Sequence, residues 1–414
     1  MRRINQRFFA AIILISFVIF TLHSLYTKTS VFADAKFYYS YTRSVVFDHN
    51  LFLGNEFFRL KLLRQLPNNQ FIPSFYPPGV SIFWLPLFYF TFGLMNLIQI
   101  FFKGITVSGY EAIFEYSCSV TSIFLTVFGL YLIYRLLCKR FSQKVGLFTV
   151  LLIFFASNLF FYTAVEPISS HAASFFVSAL FIYYLLDHKK DKNYYLTLSV
   201  IGGAAGLIRT QDLLLLTLPI LEILIHGKQN ISKAIKAFLQ IILGSFLGFL
   251  PQIILWKYFY NTYFFSPYLN VGFNFLHPQI LHVLINNQNG LFLKTPITAV
   301  ALIGLIIKVY GYYKNKFLNG YKKTRYHNPN DSLYLIALFY FFIQLYLVSS
   351  WNVYSQGGSY SIRMIVTTYP LLVFGLAEVV KYAFKKFNSR VIFLISLLFI
   401  TFNFFSILDY LIKY

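Results

Sequence analysis

Acidic side chains are scarce in this chain. Thirteen Asp and Glu stand against thirty-five Lys and Arg in 414 residues, a formal net charge of +22. Charge of either sign is scarce as well: 12% of residues are charged, about half the soluble average, while 58% are hydrophobic. That balance excludes a soluble multidomain protein and a disordered one. The two cysteines, Cys118 and Cys138, lie within one apolar run, so there is no disulfide framework and no CxxC metal site, and the redox compartment has to follow from topology. Histidines offer little metal chemistry. His171 pairs with Glu166 in one short loop, and His277 and His282 share another segment without the spacing of a dense ligand set. No P-loop or dinucleotide fingerprint appears in the basic segments. The basic residues form no nucleic-acid module either; scattered between apolar runs, they are suited to anionic headgroups.

What is abundant is apolar sequence in lengths that fit a bilayer, where about 20 helical residues cross roughly 30 Å of hydrocarbon. Such runs fall near 8–26, 113–134, 145–162, 171–187, 194–208, 211–226, 237–256, 291–313, 332–350, 362–382 and 391–412, with a further one at 80–102. The segments 135–144, 187–194, 226–236, 308–327 and 381–390 hold twenty Lys and Arg together, whereas the alternating segments 163–171, 209–212, 257–290 and 351–361 hold two, Arg209 and Lys257. Cytoplasmic loops carry the excess of Lys and Arg, so the first set is predicted to face the cytoplasm, which requires 80–102 to lie along the outer face or re-enter without crossing. The expectation is an all-α, polytopic membrane protein of one transmembrane domain, residues 1–414. It would have about eleven spans in the cytoplasmic (inner) membrane, the N-terminus inside, and long outer loops at 27–79 and 257–290. Trp84, Trp256 and Trp351 would then sit near the outer interface. Residues 1–33 also resemble a signal peptide ending at Val31-Phe32-Ala33, although the length of the apolar run favours an anchor. Gly244 and Gly248, with Gly202, Gly203 and Gly206, read as close helix-packing positions.

The few ionisable groups at outer helix ends are the informative ones, because such groups near a bilayer are costly unless they work or are paired. The first outer loop holds Asp34, Asp48 and Glu56. Within it Phe37, Tyr38, Tyr41 and Val45 share one helical face and Lys36, Ser40, Arg43 and Ser44 the other, as in an amphipathic helix lying on the membrane. Asp34, at the start of that helix, is either its N-cap or a general base or cation ligand; position alone favours the cap. Phe75-Tyr76-Pro77-Pro78-Gly79 would lay the 80–102 segment flat. Arg209 and Asp212 flank a tight turn and suit an ion pair as well as a ligand contact. Lys294 follows Asn289-Gly290-Leu291-Phe292, and Arg363 closes the stretch that begins at Trp351, where its guanidinium could meet a lipid phosphate in bidentate fashion or simply snorkel.

In order, these motifs are an acidic residue after the first span, FYPPG, an apolar segment, NGLFLKTP at Asn289 to Pro296 and WNVYSQGGSYSIRM at Trp351 to Met364. This resembles the GT-C superfamily of integral-membrane glycosyltransferases, in particular bacterial relatives of protein O-mannosyltransferases and of the lipid A aminoarabinose transferase. The resemblance implies transfer of a sugar with inversion from a polyprenyl-phosphate carrier to a glycan, lipid or protein acceptor on the outer side of the membrane. It implies Asp34 as the catalytic carboxylate and Arg363 as the cation facing the carrier phosphate. Arg209, Lys294, Tyr76 and Glu56 are further substrate-binding candidates. Many relatives carry a second acidic residue directly after the first, where this chain has Ala35; that leaves divalent-metal dependence open, with Asp48 or Glu56 as substitutes. A lipid or lipid-linked-sugar flippase is the alternative reading.

Overall fold

The computed structural model describes residues 2–226, 231–265, 271–318 and 329–413. Residues 227–230 and 319–327 of the basic segments, and 266–270 of the second long loop, lie outside them. The regular structure of the described residues is helical, apart from one isolated antiparallel bridge, Phe273 to Trp351. The helices are α1 (Arg2–Thr27), α2 (Ala35–Arg43), α3 (Gly54–Arg59), α4 (Gly79–Phe101), α5 (Ala112–Cys138), α6 (Gln143–Phe155), α7 (Asn158–Phe160), α8 (Ser170–Asp187) and α9 (Tyr194–Ile208). They continue as α10 (Thr217–His226), α11 (Ile231–Tyr260), α12 (Ile280–Ile285), α13 (Leu291–Lys294), α14 (Ile297–Leu318), α15 (Pro329–Ser350), α16 (Tyr369–Lys386) and α17 (Ser389–Lys413).

Nine helices among the described residues are long and apolar enough to cross a membrane, ten if a bent pair is one span. Three of the eleven runs expected as plain spans are not among the nine, whereas α4, expected not to cross, is one of them; the 194–208 run is the fifteen-residue α9, and the other two are built differently. The 145–162 run breaks after Phe155, and its halves meet at 68°. Ser157 and Asn158 cause the break, and the backbone groups they free are satisfied from other helices: Asn403 of α17 donates to the carbonyls of Phe155 and Ser157 at 2.9 and 3.0 Å. Asn158 in turn donates to the Ile362 carbonyl at 3.3 Å and accepts from Tyr369 Oη at 2.5 Å. An interrupted helix at membrane depth is tolerable when neighbours re-satisfy its backbone in this way. The 211–226 run is a 3-10 turn, Thr210–Leu216, followed by the ten-residue α10.

Aromatic contacts set the direction of the first helices. Phe20 packs on Tyr116 and Phe9 on Tyr131, so α1 and α5 lie side by side and antiparallel. The chain therefore leaves α1 and enters α5 at the same end of the bundle, with α2, α3 and α4 between. There α4 packs against α5, Trp84 donating to Ser122 Oγ at 2.9 Å and Phe88 touching Phe114. Trp84 is fully buried. Its N–H is satisfied inside the protein, so the ring is not presented to headgroups as an interfacial indole would be. The small residues of α9 and α11 meet as expected: a Cβ on Gly203 would overlap the Ser245 carbonyl, and one on Gly248 would overlap that of Val200.

The helix at the start of the first loop also differs from expectation. In α2 the apolar residues Tyr38, Tyr39 and Tyr41 are buried, and so are Ser40 and Thr42 of the polar side. Tyr38 and Tyr39 pack against Trp84 and Phe88. The polar face is neutralised internally, because Arg43 pairs with Asp48 and, at 2.9 Å, with Glu56, while its Nε donates to the Ser108 carbonyl at 3.1 Å. An Arg paired with two carboxylates and a backbone carbonyl of the protein no longer requires a wet surface.

Candidate active site

Asp34 follows the turn that ends α1. Ala33 before it has φ +41°, a left-handed conformation that a non-glycine residue adopts at some cost, and this turns the chain sharply into α2. Asp34 occupies the N-cap position of α2 but makes no side-chain cap hydrogen bond. Its oxygens are engaged elsewhere: Oδ2 lies 3.0 Å from Arg363 Nη2, and Oδ1 accepts from Tyr76 Oη at 2.8 Å. The cap reading is thus corrected, because a guanidinium and a phenol are stronger partners for a carboxylate than two helix amides.

Tyr76 is presented by the proline turn. Its ring stacks on Phe37 at 4.8 Å and meets Tyr38 edge-on at 5.4 Å, which fixes the hydroxyl on Asp34. Gly79 serves close approach here: a Cβ at that position would come within 2.5 Å of the Leu207 carbonyl oxygen, so α4 starts against the end of α9.

Arg363 opens a 3-10 turn, Arg363–Thr368, that leads into α16. The preceding loop is held from within. Tyr360 is almost wholly buried and donates to Asn403 Oδ1 at 2.8 Å, and Tyr162 donates to the Tyr360 carbonyl at 3.0 Å. Gly357 supplies the positive φ (+62°) that the loop requires. Arg363 is consequently carried on a braced backbone, as an electrostatic group needs to be if its charge is to be preorganised.

Asp34, Tyr76, Arg363 and Arg209 line one cavity of about 370 Å³. Arg209 ends α9 and contacts His171 Nδ1 through Nη1 at 2.8 Å; among the described residues it has no carboxylate within ion-pair distance. The expected Arg209–Asp212 pair is absent among those residues, since Asp212 is buried and accepts instead from Ser174 Oγ at 2.5 Å. Further lining comes from Tyr38, Ser170, Gln211, Phe273 and Trp351. Gln211 donates to the Met364 carbonyl at 2.9 Å and so ties the α9 end to the Arg363 turn. Sequence reading missed Gln211 and Ser170, whose only signal was a polar side chain beside an apolar run.

Two candidates lie elsewhere. Lys294 pairs with Asp409 of α17 at 3.7 Å and does not line the cavity. Glu56 is fully buried against Arg43, with burial pushing its carboxyl up to about 7 against the opposing pull of that guanidinium. Asp48 shares the same Arg43 and accepts from Asn55 Nδ2 at 2.9 Å. Both carboxylates are taken up in folding the first loop and stand apart from Asp34. Among the described residues no three His, Cys, Asp or Glu side chains gather closely enough to hold a metal ion.

Residues 75–283 match the Alg9-like mannosyltransferase family, a stretch that makes up half of the chain. It includes Tyr76, Arg209 and the bent segment, while Asp34 and Arg363 lie outside it. No curated protein and no solved structure matches the chain. The narrower likeness to bacterial O-mannosyltransferases therefore gains no matching relative, and the flippase reading gains none either. A helical bundle with many membrane-crossing helices, a cavity at one end that carries Asp34, Arg209 and Arg363, and this match lead to one identification: the chain belongs to the Alg9-like mannosyltransferase family and is a membrane glycosyltransferase.

Proposed function

We propose that the protein transfers a mannosyl unit, with inversion, from a polyprenyl-phosphate carrier to a hydroxyl of an envelope acceptor that is a glycan, a lipid or a protein. The carrying observation is the Asp34–Arg363 pair, 3.0 Å apart and bridged to Tyr76, on the wall of a cavity that also presents Arg209.

Displacement at a sugar C1 passes through an oxocarbenium-like state, and an inverting site places a base on one face of the ring and support for the leaving group on the other. A carrier phosphate leaves without a proton donor but requires positive charge. Arg209, which lacks a carboxylate partner among the described residues, and Arg363 supply it. The arriving phosphate competes with Asp34 for the Arg363 guanidinium. Asp34, so released, takes the proton of the acceptor hydroxyl as general base, and Tyr76 holds its other oxygen in place.

The same cavity lies at the end of the bundle where α1, α9 and α15 finish, opposite the basic ends that carry Arg135, Lys139, Lys189, Lys385 and Lys386. That charge asymmetry supports an active site on the outer side of the cytoplasmic membrane with the N-terminus inside. The antiparallel pairing of α1 with α5 supports α4 remaining on that same face, as a single crossing there would put α5 in the opposite sense.

The test is transfer by the purified protein in proteoliposomes, with a radiolabelled mannosyl-phosphoryl-polyprenol and envelope extract as acceptor. Label should leave the carrier and appear in acceptor with inverted configuration, and Asp34→Asn should abolish it. Full transfer by a correctly inserted Asp34→Asn protein would end the assignment.

A further inference from the structure

Behind the Asp34–Arg363 pair lies a second, smaller cavity of about 30 Å³. Asp34, Tyr38, Ser170 and Arg363 line both cavities, so the ion pair forms part of the wall between them. The small cavity is also lined by Glu166, which follows the bent segment and precedes α8. Its carboxylate has no hydrogen bond or ion pair within 4.0 Å among the described residues, and the residue is half-buried on the cavity wall. An ionisable side chain without a direct partner, on the wall of a cavity that the reacting pair also lines, is not explained by packing.

We propose that Glu166 receives, through the small cavity, the proton that Asp34 takes from the acceptor hydroxyl, and so resets Asp34 for the next turnover. The inference rests on the reading of Asp34 as the base. The balance is simple. The acceptor O–H bond breaks as the new glycosidic bond forms, the carrier phosphate leaves with the bonding pair, and the proton passes to Asp34, then to Glu166, then to solvent. A void of about 30 Å³ holds a single water, which needs roughly 10–15 Å³ of such space and two or more polar partners. Asp34, Glu166, Ser170 and Tyr38 supply those partners, and Ser170, shared with the larger cavity, gives the way out.

The charged and titratable groups around Glu166 are Asp34 and Tyr38 at the start of α2, Tyr162 on the bent segment, His171 on α8 and Arg363; His23 of α1 lies against the adjacent Val165. Burial pushes the Glu166 carboxyl up to about 7, with Arg363 opposing and Asp34 adding to the rise. A carboxyl poised there accepts a proton from a spent base and returns it near neutral pH. Glu166 acts through Asp34 and touches no substrate.

The experiment compares single-turnover and steady-state transfer in proteoliposomes for the parent, Glu166→Gln, Glu166→Asp and Asp34→Asn proteins. Glu166→Gln should complete its first turnover at the parent rate, because the relay acts only after Asp34 has taken its proton, but run roughly tenfold slower in steady state. It should also lose the parent's acid limb near pH 7, and Glu166→Asp should recover most of the rate. Slowing of both phases alike, or an unchanged steady state, would overturn the relay. Full activity in Asp34→Asn would instead overturn the assignment of the base, so the two failures are distinguishable.

Discussion

Arg363, from the last third of the chain, lies 3.0 Å from Asp34, which follows the first helix, and each is the other's principal charge partner. The contact closes the bundle, since the braced loop before α16 and the strained turn after α1 meet there. It also puts a base and an anion-binding cation in one place, with the cation occupied by the base until a phosphate displaces it.

Removing the base should be the most damaging single change. Asp34→Asn is expected to lower transfer by about 10²–10⁴-fold, the usual contribution of a general base, with little change in donor KM. The measurement is initial rate against donor concentration in proteoliposomes; a loss confined to KM would show that Asp34 only binds.

The two arginines should separate by their partners. Arg209→Gln removes a cation that has no carboxylate within 4.0 Å among the described residues, so the protein should fold normally and show a donor KM raised about tenfold or more. Arg363→Gln leaves Asp34 without its counter-charge and should cost stability as well as activity. Thermal melting in detergent beside kinetics distinguishes them; equal destabilisation would contradict the difference in pairing.

Glu56 gives a pH test free of catalysis. Burial holds its carboxyl protonated up to about 7, above an ordinary value of 4.5, so the folded protein binds a proton that the unfolded chain has released. That contribution is complete below about pH 4.5 and is lost as pH rises through 7. Glu56→Gln lacks this loss, so its melting temperature should decline less than the parent's between about pH 5 and 8. Parallel melting curves across that range would show that Glu56 does not titrate there.

The α9–α11 contact should be intolerant of volume. A side chain on Gly203 or Gly248 meets backbone carbonyls rather than flexible atoms. Gly248→Val should therefore destabilise by about 1–3 kcal/mol, the cost of overpacking, and displace the Arg209 end of α9 enough to weaken donor binding. Unfolding in graded denaturing detergent reports the first effect and donor KM the second; an unaltered protein would mean that the helices separate freely.

Much was readable before any coordinates. Apolar run length and the scarcity of charge settle an all-helical membrane protein, and the glycines of α9 and α11 announce a close contact, because these are properties of local composition. Asp34, Tyr76, Arg209 and Arg363 stood out as polar groups at helix ends where such groups are expensive. Partner choice was another matter. Position favoured a helix cap for Asp34 and a pair between Arg209 and Asp212, but competition is decided by which group a fold brings nearest. Arg363 and Ser174 prevailed from distant segments. The break at Ser157 and the burial of α2 likewise depend on Asn403 and on Asp48 and Glu56 satisfying groups that local sequence leaves open. Hydrophobicity is summed along a chain and can be read there, whereas a charge or a freed carbonyl is settled by whatever lies within about 3 Å in space, and only folding determines that.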